Sequence, residues 1–128
     1  MGGGEGLHGT FDGTIGARRS ASIQQDRQNK HIVGTKNYLQ EIAQGRHPSI
    51  LTTDAMVLLR EGAGTGVMRG KRKRETVDYG RIIGKWYDRK TKAYSDTTRA
   101  TIHYDSKGNA HIVPSIPKEL LPKRGRKK

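Results

Sequence analysis

The pattern of hydrophobic and polar positions divides the chain into a helical first half and a strand-rich second half. It predicts a polar helix over 21–30 and an amphipathic helix over 37–44 that begins at an N-cap, Asn37. The stretch DAMVLLRE predicts a third helix, capped by Thr53 or Asp54. Its nearly continuous apolar centre marks it as the helix that packs deepest.

After Gly70 the sequence changes to Val, Ile, Thr and aromatic residues interrupted by turn residues, which predicts about four short antiparallel strands. Helices followed by strands indicate an α+β fold, with N-terminal helices packed on a roughly four-stranded antiparallel sheet. The Gly-rich segment 1–20 is expected to be a flexible linker, 21–117 the folded domain and 118–128 a basic tail.

The chain carries a strong excess of positive charge. Its 128 residues include 25 Lys and Arg against 12 Asp and Glu, a formal net charge of +13. Such a surface attracts polyanions, so nucleic acid is the first partner to consider, ahead of acidic proteins and anionic membranes. The lack of cysteine excludes disulfides, thiolate nucleophiles and cysteine zinc sites. No membrane segment is expected, because no apolar run reaches the ~20 residues of a membrane helix.

The segment TIHYDSKGNAHIVP predicts a β-hairpin whose turn fixes the register. Asp105 and Gly108 suit a three-residue loop, in which a type I turn ends in a left-handed glycine. In that register His103 lies directly opposite His111, and one face of the hairpin is apolar. A two-residue loop would instead pair His103 with Ile112 and mix the two faces.

The opposed histidines are candidates for a general acid and a general base. Neighbouring imidazoles disfavour joint protonation, so their pKa values should separate, as proton transfer in both directions requires. Arg99 lies four residues before His103 on the same predicted face, where its charge would stabilise an anion. The alternative interpretation is that both histidines are ordinary solvated residues of a surface hairpin.

Six segments of the chain form an ordered set: NKHIVGTKNY, HPSILT, AGTG, VDYGRIIGKWYD, DTTRATIHY and GNAHIVP. Together they resemble the bacterial polymorphic toxin type 50 domain, found at the C-termini of secreted toxins and of phage minor head proteins, and the likeness spans 28–117. The resemblance implies a ribonuclease of the barnase–EndoU–colicin–RelE fold, whose open sheet face cleaves RNA. The stretch MRGKRKRET is more basic than the family pattern, and the short Gly-rich start stands where such domains usually follow a large carrier.

The combined prediction is a metal-independent endoribonuclease toxin, without a cofactor, in which the 2′-OH of RNA is the nucleophile. His103 and His111 are predicted to be acid and base in either order, with Arg99 on the phosphate, and His31 is the alternative base. No metal site is predicted, since the histidines lack ligand spacing. The polar and basic residues expected to contact RNA are Thr97, Thr101, Lys36, Lys71, Arg72, Lys73 and Arg74.

A toxin of this class implies an acidic immunity protein as its partner. It also implies action in the cytoplasm of a target bacterium after secretion or phage delivery, and a monomer is expected. The competing hypothesis is a non-catalytic nucleic-acid-binding protein, such as a phage structural or packaging accessory, which would need Lys and Arg but not opposed imidazoles.

Two further patterns allow a structural or a functional interpretation. GAGTG resembles a phosphate-binding loop, but it follows a predicted helix and lacks a Lys-Ser/Thr pair, so a helix end is favoured. Trp86, Tyr87 and Tyr94 are candidates for base stacking or for core packing.

Overall fold

The computed structural model describes residues 11–71 and 73–122. The helices are α1 (Ile15–Arg19), α2 (Gln25–Asn29), α3 (Lys36–Ala43) and α4 (Ala55–Gly62), and a 3-10 turn covers Lys118–Leu120. The strands are β1 (Ser22–Ile23), β2 (Ile50–Leu51), β3 (Val67–Arg69), β4 (Arg74–Asp78), β5 (Gly84–Asp88), β6 (Ala93–Thr97), β7 (Arg99–Tyr104) and β8 (Asn109–Pro114). No helix in this part of the chain is both long and apolar enough to cross a membrane.

The α+β class is confirmed, but the prediction of one four-stranded antiparallel sheet is wrong. A five-stranded sheet has the order β1-β8-β7-β4-β3, and a three-stranded sheet has the order β2-β5-β6. The β5–β6 hairpin follows β4 along the chain but pairs with β2, so β4 is free to pair with β7. The short strand β1 adds a parallel pairing to β8. The prediction was wrong because it paired strands that follow one another along the chain, whereas β4 pairs with β7 and β5 pairs with β2.

The core lies between α4 and one face of the five-stranded sheet. Alternate residues of β7 and β8 are buried, and they include Ile102 and Ile112, both at 0% exposure. Among the helices, α4 buries Leu58 and Leu59, as its apolar centre predicts, whereas α3 buries no residue. The side chain of Asp54 caps α4 by accepting from two backbone amides.

The first helices begin at residues other than those predicted. Thr35, and not Asn37, caps α3, because its hydroxyl accepts from the amide of Tyr38 and also donates to the carbonyl of Asn29, which joins α2 to α3. The predicted helix over 21–30 is shorter, since its first residues form β1.

Part of the Gly-rich segment packs on the domain, contrary to the expectation of a flexible linker. Within 11–20, helix α1 places Arg18 in the interior, where its guanidinium lies 2.9 Å from the carboxylate of Glu75. Phe11 stacks on Tyr104 with ring centroids 4.8 Å apart. Residues 1–10 lie outside the described residues, as do the tail residues 123–128.

Glu75 is a completely buried carboxylate that accepts hydrogen bonds from several elements. The amides of Gly64 and Gly66 donate to it at 3.1 and 2.7 Å, and the hydroxyl of Tyr104 donates at 2.6 Å. The GAGTG loop therefore does hold an anion, but that anion is the protein's own side chain. Gly66 is required here, because a Cβ at that position would collide with the carbonyl oxygen of Thr76.

We predict that Glu75→Gln destabilises the protein strongly. The substitution leaves the charge of Arg18 buried without a counterion, which typically costs about 3–5 kcal/mol. The matched control is Asp96→Asn, which breaks the exposed 2.8 Å pair with Lys85 and should cost less than about 1 kcal/mol. Urea unfolding measures both, and equal losses would show that the buried pair is not special.

Candidate active site

The hairpin has the register predicted from its turn. His103 pairs with His111 and Ile102 with Ile112, and Gly108 is left-handed with φ 82°. The two imidazoles stack with centroids 4.9 Å apart and planes inclined by 14°. Both are half-buried on the face of the sheet opposite the core. The prediction of a directly opposed pair is confirmed.

A third imidazole extends the stack. The ring of His31 lies 6.2 Å from that of His111, with an interplanar angle of 13°. His31 comes just after α2, and Gln28 fixes that helix to the sheet. The Gln28 amide donates to the carbonyl of Ile112 at 2.9 Å and accepts from its N–H at 2.7 Å. Gln28 is fully buried, so a polar residue anchors the helix that lacks an apolar face.

Arg74 continues the row on the other side. It pairs with His103 across β4 and β7, so one line of basic side chains crosses three strands and ends at the loop after α2. We call Arg74, His103, His111 and His31 the basic row. Because Glu75 points into the core, its neighbour Arg74 projects to the exposed face.

The pKa of each histidine in the row is lowered from its ordinary value, and burial is the main cause in each case. For His111 burial, the neighbouring imidazoles and the cations Arg27 and Lys30 lower the pKa to about 4. For His103 burial and Arg74 lower it. For His31 burial lowers the pKa, while the Ser49 carbonyl and Glu41 partly oppose the shift. Neutral imidazoles therefore predominate in the free protein at neutral pH.

The orientation of His31 is fixed by a backbone contact. Its Nδ1 lies 2.8 Å from the carbonyl oxygen of Ser49, an acceptor, so Nδ1 carries a proton and Nε2 is left for other partners. The hydroxyl of Ser49 accepts from the amide of Tyr87 at 2.9 Å. One residue thus connects the basic row with the three-stranded sheet.

His103 and His111 line a pocket of about 360 Å³. Three cationic side chains also line it, those of Arg27, Lys73 and Arg74. Lys73 and Arg74 were predicted as RNA contacts, whereas Arg27 lies in the polar helix and gave no sequence signal. Among the described residues, no group of three or more His, Asp or Glu side chains is arranged to hold a metal ion.

The other predicted residues lie elsewhere. Arg99 is four residues from His103, about 13 Å along the strand, and its guanidinium donates to the carbonyl of Ile116 at 2.7 Å. Thr97 is 1% exposed and donates to the Ser115 carbonyl. Thr101 is half-buried and shares hydrogen bonds with Thr76 and Ser115.

Of the remaining basic residues, Lys36 is exposed at the start of α3, and Lys71 is exposed in the turn between β3 and β4. Neither lines the pocket around the histidines. Arg72 lies outside the described residues. An RNA contact for each of these three stays a prediction.

A second groove, of about 770 Å³, begins at His31 on the side away from His103. Its lining includes three aromatic side chains and two cations: Trp86 and Tyr87 of β5, His47, Arg89 and Lys90. His47 stacks on Tyr87 at 5.0 Å, and Tyr94 contacts the same ring. The sequence marked these aromatic residues, but not their position beside His31.

We predict that the protein loses stability as the pH falls below about 6.5. Folding lowers the pKa of the three histidines, so the unfolded chain binds more protons between pH 6.5 and the folded value, about 4 for His111. The free energy of unfolding, measured in urea from pH 7.5 to 5, should decrease accordingly. His111→Gln should reduce this decrease, and His47→Gln is the matched control. An unchanged pH dependence in the His111 variant would contradict a half-buried, neutral imidazole.

Comparison with curated proteins and with solved structures finds no match. A family model described as bacterial toxin 50 does match, over residues 23–114. The match includes strands β2 to β8 and the three imidazoles of the basic row. It agrees with the resemblance found in the sequence. The chain belongs to the bacterial toxin 50 family.

Proposed function

We propose that this toxin domain is a metal-independent endoribonuclease that cleaves RNA by attack of the 2′-OH on the adjacent phosphorus. The observation that carries the proposal is the basic row, three stacked imidazoles beside an arginine on an open sheet face. Acid–base transfer typically contributes ~10²–10⁴-fold to such a reaction, and a positioned charge contributes ~10²–10³-fold.

His111 is the base in this proposal. Its low pKa, about 4, keeps it neutral at physiological pH and able to take the 2′-OH proton. An imidazole with so low a pKa is a weak base in the free protein. A bound phosphate next to it raises that pKa towards a more effective value.

His31 is the acid that protonates the leaving 5′-oxygen. The Ser49 carbonyl accepts from Nδ1 and stabilises the imidazolium, as does the charge of Glu41. His103 is less suited, because Arg74 opposes its protonation. The wider spacing of His31 from His111, 6.2 Å against 4.9 Å, also favours this pair, since the attacking and leaving oxygens stand on opposite sides of phosphorus.

Arg74, with Arg27 and Lys73, replaces Arg99 as the source of charge stabilisation. These three cations line the pocket that contains His103 and His111. Arg99 instead holds the C-terminal segment through Ile116. An acidic immunity protein that covers this basic face would neutralise the toxin, and the formal net charge of +13 supports such a partner.

The first activity prediction concerns the products. The purified protein should cut total RNA in the presence of EDTA and leave 2′,3′-cyclic phosphate ends, because the attacking oxygen belongs to the RNA. DNA lacks the 2′-OH and should bind without being cut. Sequencing of the RNA ends measures the outcome. If no RNA pool is cut, the competing hypothesis of a non-catalytic nucleic-acid-binding protein is favoured.

The second activity prediction separates the acid from the base. His31→Gln and His111→Gln should each lower the cleavage of RNA by roughly 10²-fold or more. Uridine 3′-(4-nitrophenyl phosphate) has a leaving group that needs no proton, so it should restore the rate of the His31 variant but not of the His111 variant. Arg99→Gln is the matched control and should cut near the wild-type rate. Rescue of a His103→Gln variant instead of the His31 variant would assign the acid to His103.

A further inference from the structure

The groove beside His31 has the features of a nucleobase site. A volume of about 770 Å³ is within the ~300–1,000 Å³ of small-ligand pockets. Three aromatic side chains line the groove, Trp86, Tyr87 and His47, and the rings of His47 and Tyr87 form a stacked pair with centroids 5.0 Å apart. Arg89 and Lys90 at the same groove supply charge for the sugar–phosphate chain.

The groove is connected to the basic row at a defined point. His31 lines the groove and stacks on His111, which lines the pocket on the other side. Ser49 contacts both sides of the groove by hydrogen bonds. Its carbonyl accepts from His31 Nδ1, and its hydroxyl accepts from the amide of Tyr87. His31 is therefore shared by the basic row and the groove.

We propose that this groove binds the base that follows the scissile phosphate, on the side of the leaving 5′-oxygen, and that the substrate is single-stranded RNA. The assignment to the base after the scissile phosphate rests on the proposed function, because that function places His31 next to the leaving oxygen. The preference for single-stranded RNA follows from the need to stack a base on an aromatic ring. A paired base has both faces covered by its neighbours, so it reaches Tyr87 only when it is unpaired.

The test uses the full chain and RNA that cannot be cleaved. Trp86 lines the groove and is the sole tryptophan of the sequence, so its fluorescence reports on occupancy. The probe is a 2′-O-methyl RNA hexamer of mixed sequence, single-stranded or annealed to its complement. The single strand should quench Trp86, and the duplex should bind without quenching.

Tyr87→Leu should weaken binding of the single strand by roughly 5- to 150-fold, as expected when one stacked base loses its aromatic partner. Tyr87→Phe keeps the ring and should bind like the wild type, which separates stacking from a loss of folding. Binding of the duplex, which relies on charge, should be the same in all three proteins.

Three outcomes would overturn the inference: no quenching by the single strand, equal quenching by the duplex, or equal affinity of the Tyr87→Leu protein. Any of them would leave the groove to another occupant, such as a partner protein. The proposed function is tested separately by RNA cleavage. If quenching and its dependence on Tyr87 hold while no RNA is cut, the base site stands and the ribonuclease proposal fails.

Discussion

Two hydrogen bonds between the side chain of Gln28 and the backbone of Ile112 determine where the third imidazole lies. Strand β1 pairs only with the first two residues of β8, so the outer edge of β8 needs another partner further along. The amide of Gln28 donates and accepts there as a neighbouring strand would, and it is itself fully buried and satisfied. Because the amide of His31 donates to the carbonyl of Gln28, the same contact places this imidazole against His111.

The second constraint is the buried carboxylate of Glu75, which joins α1, the GAGTG loop and β7. Side chains alternate along β4, so fixing Glu75 in the core also directs Arg74 to the opposite face, next to His103. The loop that resembles a phosphate site is occupied by this carboxylate. On the proposed function, the phosphate of the substrate is therefore left to the cations on the open face of the sheet.

Local chemistry made part of this arrangement predictable. Asp105 and Gly108 define the turn, and the turn fixes the register, so the opposition of His103 and His111 could be derived from fourteen residues. The position of His31 could not, because Gln28 is polar and a polar helix gives no sign of burial. The second sheet was missed because β4 pairs with a strand that lies beyond an inserted hairpin. Arg99 was correctly placed on β7, but its long side chain reaches Ile116 instead of the histidines.

The positive charge of the site has two opposite effects on its histidines. In the free protein Arg27 and Lys30 oppose the protonation of His111, as Arg74 does for His103. On the proposed function the same cations attract RNA. A phosphate between these groups brings a negative charge close to each imidazole, which raises its pKa. On the proposed mechanism, arrival of the substrate therefore favours the protonated form of His31 that the leaving oxygen requires. The linkage is reciprocal, so protonation of the row must strengthen phosphate binding by the same factor.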